Sequence, residues 1–444
     1  MNSRKIALNI LLEIDKEAYS NLVLNKYLSK INKRKDRALI TEMVYGVLRY
    51  RNRLDYIIKH YSKTPFEKMD MAVRQALRLA IYQIEFLDKI PARAAVNETV
   101  NACKGICNRG AVGFVNGVLR NFIRNKKRIK YPNPEKNPRE YMINYLSHPA
   151  WLIDYWLKEY KQEKLIKLCE HNNKVAELEI RINTLKYNFE DVHLAFDKEN
   201  IILEERIIPG TYTVKNHSGV KTLPLYSEGA FIVQGSAASL TSQLLNPKPG
   251  MRVLDMTAAP GGKTTHLATL MENKGEITAL DIYPHKIKLI ETNCNRLGVN
   301  IVKTLEFDAR EYKSSKKYDM ILLDAPCSGL GLIRQKPEIR WNKSISDIKS
   351  LAKIQFELLQ NAIKLLKKQG VLLYSTCTLT LEENKKNIYK ILNLHKDIEI
   401  LDLKNDLKRL DILDYFTPQK DGFLELFPVE TGTEGFFMAK IIKK

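Results

Sequence analysis

The sequence predicts an α/β protein built on a doubly wound parallel sheet, preceded by an all-helical segment and a small α+β insert. From about Tyr226 onward, short apolar runs typical of buried strands alternate with longer helical patterns. Residues 1–125 show only helical spacing, and a proline-rich stretch at 131–138 separates them from the rest. We therefore expect three domains, at 1–130, 131–225 and 226–444.

The predicted helices of the first segment follow from apolar residues at helical intervals. Ile6, Ile10, Leu11 and Ile14 share one helical face, as do Leu39, Met43, Val47 and Tyr50. Further helices are predicted at Met71–Phe86, Ala94–Cys107 and Phe114–Arg124. The insert is expected to hold a helix over Trp151–Glu170 and strands at Leu178–Asn183 and Ile201–Ile208.

The third segment carries the alternating pattern that predicts the parallel sheet. Strands are predicted at Arg252–Met256, Glu276–Leu280, Ile301–Glu306, Met320–Leu323 and Val371–Tyr374. Helices are predicted between them, among others at Lys263–Met271, Pro284–Leu297 and Ser346–Lys367. In such sheets, ligands bind at the edge formed by the carboxyl ends of the strands.

The charge is concentrated near the N-terminus. The formal net charge is +21, and residues 1–150 carry +16 of it, with 29 Lys and Arg against 13 Asp and Glu. This excess favours a module that binds a polyanion, although solvated lysine-rich helix faces would give a similar count. Because no apolar run reaches the roughly 20 residues of a membrane span and no signal peptide is visible, we expect no membrane partner.

The six cysteines show neither disulfide nor zinc spacing, so we expect a reducing cytoplasm and no metal. Cys103, Cys107, Cys169 and Cys294 are interpreted as small buried hydrophobic residues.

A glycine-rich turn after the first strand of the sheet indicates a ligand site. The segment Asp255–Thr265 joins a buried strand to a helix, and Gly261 and Gly262 permit close backbone approach. It has neither the phosphate-loop spacing nor the dinucleotide fingerprint. Asp281 and Asp308 stand at the ends of the next two strands, and carboxylates at successive strand ends are best explained by one bound nucleoside.

Two further cysteines lie just past strand ends on the same edge. Cys327 follows Asp324 after the fourth strand, and Cys377 follows the fifth. A thiolate that adds to carbon 6 of cytosine makes carbon 5 nucleophilic enough to accept a methyl group. A carboxylate with a proton near N3 would stabilise the charge that develops on the ring. A thiolate needs nearby positive charge, and Lys263 is one candidate.

Three motifs resemble those of a known family. Asp255–Thr265, Leu322–Gly331 and Ser375–Thr378 are similar to the core motifs of RNA cytosine-C5 methyltransferases, the Nol/Nop/Sun group. Phe114–Arg120 and Cys327–Trp341 resemble its branch that modifies small-subunit ribosomal RNA. The resemblance implies a Rossmann-like class I methyltransferase sheet, preceded by a NusB-like all-α RNA-binding domain and a small α+β RNA-binding subdomain.

The resemblance also implies a role for each matching residue. Cys377 is expected to be the nucleophile, Cys327 to assist product release, and Asp324 to bind the cytosine ring. S-adenosyl-L-methionine is the implied methyl donor, bound by Thr257, Ala258, Ala259, Pro260, Gly261, Gly262, Lys263, Asp281, Asp308 and Asp324. This sequence departs from the family at Thr257, where Cys is frequent, and at Glu434, where Asp is usual.

By the same resemblance, the substrate is cytosine 967 of 16S ribosomal RNA, free or in an early assembly intermediate, and the product 5-methylcytosine forms through a covalent cysteine–C6 adduct. We expect a cytoplasmic monomer that does not act on DNA. A DNA cytosine-C5 methyltransferase would use the earlier cysteine and leave Cys377 without a role, and a uridine-C5 enzyme would need one cysteine. A non-catalytic RNA-binding factor would need neither cysteine nor Asp324.

Overall fold

The structure is a computed structural model that describes residues 2–16, 20–217 and 219–444. The chain forms two compact units. The first comprises Met1–Lys174 and Ile333–Lys343, and the second comprises Val175–Leu332 and Ser344–Lys444. The segment 131–225 is thus divided between the two units, and the division into three domains stays a prediction.

The first unit is helical. Its helices are α1 (Ser3–Ile14), α2 (Ser20–Leu28), α3 (Arg34–Arg49), α4 (Arg51–Tyr61), α5 (Met71–Phe86), α6 (Ala92–Cys103), α7 (Arg109–Asn125), α8 (Pro138–Glu140), α9 (Ala150–Trp156) and α10 (Gln162–Asn172), and a π-helical turn, Tyr141–Tyr145, continues α8. The apolar faces predicted from the sequence form its core, with Leu8, Met43 and Leu77 fully buried. A bidentate ion pair between buried Arg78 and Asp55 joins α5 to α4.

The prediction of one helix over Trp151–Glu170 is wrong, because the chain forms two. α9 ends at Trp156, and the backbone of Lys161 is extended where α10 begins. Trp156 is fully buried, whereas α10 buries a separate face that contains Leu165 and Leu168. One straight helix would not bury both faces, so the chain turns between them.

The segment 333–343 is held inside the first unit by buried polar contacts. The guanidinium of Arg340, which is fully buried, donates to the carbonyls of Ser147 and Asn172 at 2.9 and 3.2 Å. The indole N–H of Trp341 donates to the carbonyl of Leu48 at 2.6 Å. Glu338 accepts a hydrogen bond of 2.6 Å from Ser20. These contacts hold the segment 333–343 in the helical unit.

The second unit begins with a four-stranded antiparallel sheet. Its elements are β1 (Leu178–Ile182), α11 (Phe189–Asp197), β2 (Ile202–Glu205), β3 (Thr211–Lys215) and β4 (Phe231–Val233), and the strand order is β2-β3-β1-β4. The strands predicted within the insert correspond to β1 and β2. The strands β3, of five residues, and β4, of three, were not predicted.

A larger sheet fills the rest of this unit. Its elements are α12 (Ser236–Leu245), β5 (Arg252–Asp255), α13 (Gly262–Leu270), β6 (Glu276–Asp281), α14 (Pro284–Leu297), β7 (Val302–Glu306), β8 (Tyr318–Asp324), α15 (Ile345–Leu365), β9 (Leu366–Thr376), α16 (Lys385–Leu394), β10 (Ile398–Leu401), α17 (Lys404–Arg409), β11 (Leu424–Leu426), α18 (Pro428–Thr431) and β12 (Phe436–Lys443). The strand order is β10-β12-β9-β8-β5-β6-β7, and β11 pairs with β12.

Five neighbouring strands of this sheet are parallel, in the order β9-β8-β5-β6-β7. The strands β10, β11 and β12 pair antiparallel. All five predicted strands are present. The predicted helix Ser346–Lys367 is two residues too long, because β9 starts at Leu366 and is longer than expected. Apolar clusters cover both faces of the sheet, as parallel sheets require. Among the described residues, no helix is both long and apolar enough to cross a membrane.

The packing of α3 on α5 gives a test of the helical unit. A Cβ atom at Gly46 would lie 1.9 Å from the ring of Tyr82, which is buried and donates to Glu42. We predict that Gly46→Ala lowers the free energy of unfolding by about 1–3 kcal/mol, because the ring must move. Urea unfolding followed by circular dichroism measures the change.

Gly113 on α7 is the matched control, since a Cβ atom there meets no atom of the described residues within 4 Å. Gly113→Ala should leave stability unchanged or raise it by about 0.5–1 kcal/mol, because alanine is the better helix former. Equal losses for both variants would contradict the packing of α3 against Tyr82.

Candidate active site

The site lies where the parallel sheet reverses its strand order. β5 pairs with β6 on one side and with β8 on the other, so the loops after these strands diverge at the carboxyl end of β5. The loop after β5 runs from Asp255 to Gly262, where α13 begins. Gly261 has a φ of +98°, and a Cβ atom there would lie 3.2 Å from the backbone of Ile290. The turn therefore requires glycine at this position.

A cavity of about 190 Å³ opens beside this loop. It is lined by Val233, Gln234, Gly235, Ala238, Asp255, Thr257, Ala258, Ala259, Pro260, Gly262, Lys263 and Asp324. Seven of the ten residues predicted to bind the methyl donor are in this lining. Gly261 shapes the turn, and Asp281 and Asp308 stand outside the lining. Among the described residues, no cluster of His, Cys, Asp and Glu could hold a metal ion.

Asp281 and Asp308 stand at neighbouring strand ends, as predicted. Asp281 is the last residue of β6, and its backbone carbonyl accepts from the N–H of Phe307 at 3.0 Å. The Asp308 carboxylate is bound by the Arg310 guanidinium at 2.6 Å, which lowers the pKa of Asp308. Ile282 and Phe307, next to the two carboxylates, are each nearly half exposed, at 49% and 45%.

Two buried polar atoms in the cavity lining lack a hydrogen-bond partner among the described residues. They are Oδ1 of Asp255 and Nε2 of Gln234. The other oxygen of Asp255 accepts from Thr264 at 2.7 Å, and the oxygen of Gln234 accepts from buried Arg181 at 2.7 Å. The free atoms are thus one acceptor and one donor. Burial raises the pKa of Asp255 to about 6.

Asp324, the last residue of β8, connects the cavity to the cysteines. Its Oδ2 accepts from the ammonium of Lys263 at 2.7 Å, and its Oδ1 accepts from the hydroxyl of Ser375 at 2.8 Å. The Thr257 hydroxyl donates to the backbone carbonyl of Asp324 at 2.8 Å. Although burial alone would lower the pKa of Lys263, the Asp324 carboxylate and the nearby Cys377 raise it overall. Lys263 is therefore a cation beside both groups.

The two predicted cysteines lie side by side. The sulfurs of Cys327 and Cys377 are 3.2 Å apart, and both side chains are half-buried. The hydrogen bond with Cys377 and burial raise the pKa of Cys327 well above its ordinary value, and the charges of Glu383 and Asp324 add to this effect. The structure thus brings Cys327, Cys377, Asp324 and Lys263 together. The other four cysteines lie elsewhere, three of them buried and Cys107 half-buried.

Several residues near the site were not predicted from the sequence. Gln234 follows the short strand β4, and no motif marks it. Glu383 accepts hydrogen bonds from Ser328, the residue after Cys327, and from Thr380, three residues after Cys377. Glu434, to which the sequence assigned no role, accepts from the backbone N–H of Ala237 at 3.1 Å in the first turn of α12. A Cβ atom at Gly235 would lie 1.4 Å from the Glu434 carboxylate, so glycine permits this approach.

Comparisons with known proteins agree with this architecture. A family model described as 16S rRNA methyltransferase RsmB/F matches residues 242–442. The NusB family matches residues 1–124, and an RsmF/B-like ferredoxin-like domain matches residues 148–210. The predicted fold class, a NusB-like helical domain followed by a Rossmann-like methyltransferase sheet, is confirmed.

The chain is also similar to complete proteins. A probable ribosomal RNA small subunit methyltransferase B from Bacillus subtilis is 36% identical over 99% of this chain and 98% of its own length. The structure titled PH0851 is 29% identical with a TM-score of 0.83, over 100% of this chain and 99% of that one. NSun6 from Pyrococcus horikoshii, solved with SFG, is 26% identical with a TM-score of 0.59, over 66% and 98% of the two chains.

The Bacillus subtilis relative matches 99% of the chain, and the family models match residues 1–124, 148–210 and 242–442. The chain is a methyltransferase and belongs to the 16S rRNA methyltransferase RsmB/F family.

Proposed function

We propose that this methyltransferase transfers a methyl group from S-adenosyl-L-methionine to carbon 5 of a cytosine in 16S ribosomal RNA, through a covalent adduct with Cys377. The single observation that carries the proposal is the 3.2 Å contact between the sulfurs of Cys327 and Cys377, beside the Asp324–Lys263 ion pair. Addition to a pyrimidine ring needs a thiolate and charge stabilisation in one place, and these side chains supply both.

The unpartnered atoms of the cavity fit the methionine end of the methyl donor. The ammonium of an amino acid would donate to Asp255, and its carboxylate would accept from Gln234. The half-exposed apolar side chains of Ile282 and Phe307 suit an adenine ring, and Asp281 suits ribose hydroxyls. When bound, S-adenosyl-L-methionine supplies an electrophilic methyl group on a sulfonium.

We assign the first chemical step to Cys377. Its thiolate adds to carbon 6, which forms the S–C6 bond and moves electron density to carbon 5. In this proposal the Lys263 ammonium, which donates to the Asp324 carboxylate at 2.7 Å, faces the ring, and its positive charge stabilises the negative charge that develops there. Carbon 5 would then form a bond to the methyl group while the bond between that methyl and the sulfonium sulfur breaks, its electron pair staying on the sulfur as a neutral thioether.

Release reverses the addition. The carbon 5 proton passes to water, the C6–S bond breaks, and its electron pair returns to the sulfur of Cys377. Cys327 donates its S–H to that sulfur across 3.2 Å, so the departing thiolate is stabilised. This assignment accounts for a second cysteine beside the nucleophile and gives Cys327 a role in release.

Two observations support 16S ribosomal RNA as the substrate. The curated relative from Bacillus subtilis is named for the ribosomal RNA small subunit. Residues 1–150, most of which form the helical unit, carry +16 of the net charge of +21, and such a surface releases counterions when it binds a polyanion. Lys127, Arg128 and Lys130 are exposed at the end of α7.

Replacing each cysteine separately tests the assigned order of events. Cys377→Ala should reduce methyl transfer by at least about 1,000-fold, because no addition to carbon 6 takes place. Cys327→Ala should still form the adduct but release it slowly, so a protein–RNA species should accumulate that survives denaturing electrophoresis. The double variant should behave like Cys377→Ala.

Cys107→Ala in the helical unit is the control and should form product at the wild-type rate, without a lasting adduct. An adduct with Cys377→Ala, and none with Cys327→Ala, would exchange the two roles and contradict the proposal.

The pKa of Asp255 predicts how cofactor affinity depends on pH. Above about pH 6 the carboxylate is ionised and binds an ammonium group, whereas below this pH it is protonated. The Kd for S-adenosyl-L-methionine should therefore rise about fourfold between pH 7.5 and 5.5. Isothermal titration calorimetry measures this without RNA or turnover.

Asp255→Asn should weaken binding at pH 7.5 by about tenfold or more and remove the pH dependence. Asp319→Asn is the matched control, because Asp319 stands near the start of β8, at the opposite edge of the sheet. A pH profile that Asp255→Asn leaves unchanged would exclude Asp255 as the group that binds the ammonium.

A further inference from the structure

Glu383 is a buried carboxylate that the reaction steps above do not use. It lies between β9 and α16 and is fully buried, with an exposed fraction of 0%. Within the described residues, no Lys, Arg or His lies within ion-pair distance of it. A carboxylate without a counterion is costly to bury unless several donors bind it.

Four hydrogen bonds satisfy both oxygens of Glu383. Oε1 accepts from the backbone N–H of Ser328 at 2.7 Å and from the amide of Gln355 at 3.0 Å. Oε2 accepts from the hydroxyls of Ser328 at 2.5 Å and of Thr380 at 2.7 Å. Donors from the loop after β8, the loop after β9 and helix α15 thus converge on one side chain.

These bonds fix the chain on both sides of Cys327. Ser328 directly follows Cys327, and the carbonyl of Pro326, which precedes it, accepts from Gln355 at 2.8 Å. The hydroxyl of Ser328 also contacts that of Thr378, the residue after Cys377, at 2.7 Å. The distance between the two sulfurs is therefore set by a network centred on Glu383.

A neutral glutamine could make a similar number of hydrogen bonds, so these bonds alone do not require a charged side chain at position 383. The Glu383 carboxylate is bonded to Ser328, the residue after Cys327. Its negative charge disfavours a second negative charge, that of a thiolate, on Cys327. The charge of Glu383 is one of the causes that raise the pKa of Cys327, after the hydrogen bond with Cys377 and burial. The charge therefore favours a protonated Cys327 next to the nucleophile.

We propose that Glu383 is a positioning residue of the methyl transfer, which holds Cys327 beside Cys377 and whose charge keeps the proton on the Cys327 sulfur. The inference rests on the proposed function. A protonated Cys327 donates to the sulfur of Cys377 before attack and again when the C6–S bond breaks. No atom of Glu383 contacts the substrate in this role, and no proton leaves Cys327.

Alkylation of the free protein tests the proposal without RNA. The rates at which iodoacetamide modifies Cys327 and Cys377 are measured from pH 6 to 10 by mass spectrometry. Glu383→Gln keeps the size of the side chain and removes the charge. We expect Cys327 to react several-fold faster than in the wild type at a fixed pH near 8.5, with its midpoint moved to lower pH and cofactor affinity unchanged.

Glu382→Gln is the matched control, because Glu382 forms a surface ion pair with Lys386 at 2.8 Å. It should leave both cysteine profiles unchanged. An unchanged Cys327 profile in a folded Glu383→Gln variant would overturn the role of the charge. Equal acceleration at both cysteines would indicate general loosening and would also overturn the proposal.

Ser328→Ala tests the positioning of Cys327 separately from the charge of Glu383. It also serves as the test if Glu383→Gln does not fold. It removes two hydroxyl contacts but keeps the carboxylate and its bond to the Ser328 N–H. We expect the Cys327 midpoint to stay within about 0.3 pH units of the wild type, while the RNA adduct is released several-fold more slowly. A large fall in the midpoint, or release at the wild-type rate, would overturn the proposal.

The proposed function can fail independently of this inference. If the wild-type protein forms no adduct and no 5-methylcytosine, the function is wrong whatever the alkylation profiles show. If it forms both, and Glu383→Gln releases the product at the wild-type rate, only the role of Glu383 is wrong.

Discussion

The parallel pairing of β8 with β9 is the constraint on which the site depends. In this register Asp324 lies opposite Ser375, and the Ser375 hydroxyl donates to the Asp324 carboxylate. Cys327 follows Asp324 by three residues and Cys377 follows Ser375 by two, so both sulfurs emerge at the same edge. A shift of two residues along either strand would move one sulfur by about 6–7 Å and separate the pair.

The charges at this edge are arranged in a consistent way. Lys263 is the cation that pairs with Asp324, and it lies near Cys377. Glu383 carries its negative charge on the side of Cys327 and is bound by neutral donors. Positive charge thus lies near Cys377, the proposed nucleophile, and the negative charge of Glu383 acts on the neighbouring Cys327. Two chemically identical side chains are given different environments, which the proposed reaction uses for attack and for release.

The sequence predicted those site residues that lie at or just after the carboxyl ends of the parallel strands. Buried strands and glycine turns have a local pattern, and the carboxyl ends of parallel strands share one edge, so Asp324, Cys327 and Cys377 were expected together. Gln234 and Glu383 were not found, because the contacts that place them join residues 28 to 55 positions apart in the sequence. The placement of 333–343 in the helical unit likewise depends on Arg340, whose buried partners have no sequence signature.

We propose above all that this chain places a methyl group on carbon 5 of a cytosine in small-subunit ribosomal RNA. The most direct test incubates the purified protein with unmodified 16S ribosomal RNA and S-adenosyl-L-methionine that carries a deuterated methyl group. The RNA is then digested to nucleosides and separated by liquid chromatography with mass spectrometry. We expect deuterium in 5-methylcytidine and in no other nucleoside. Deuterium in 5-methyluridine or in a base-amine or ribose methyl, or no transfer at all, would contradict it.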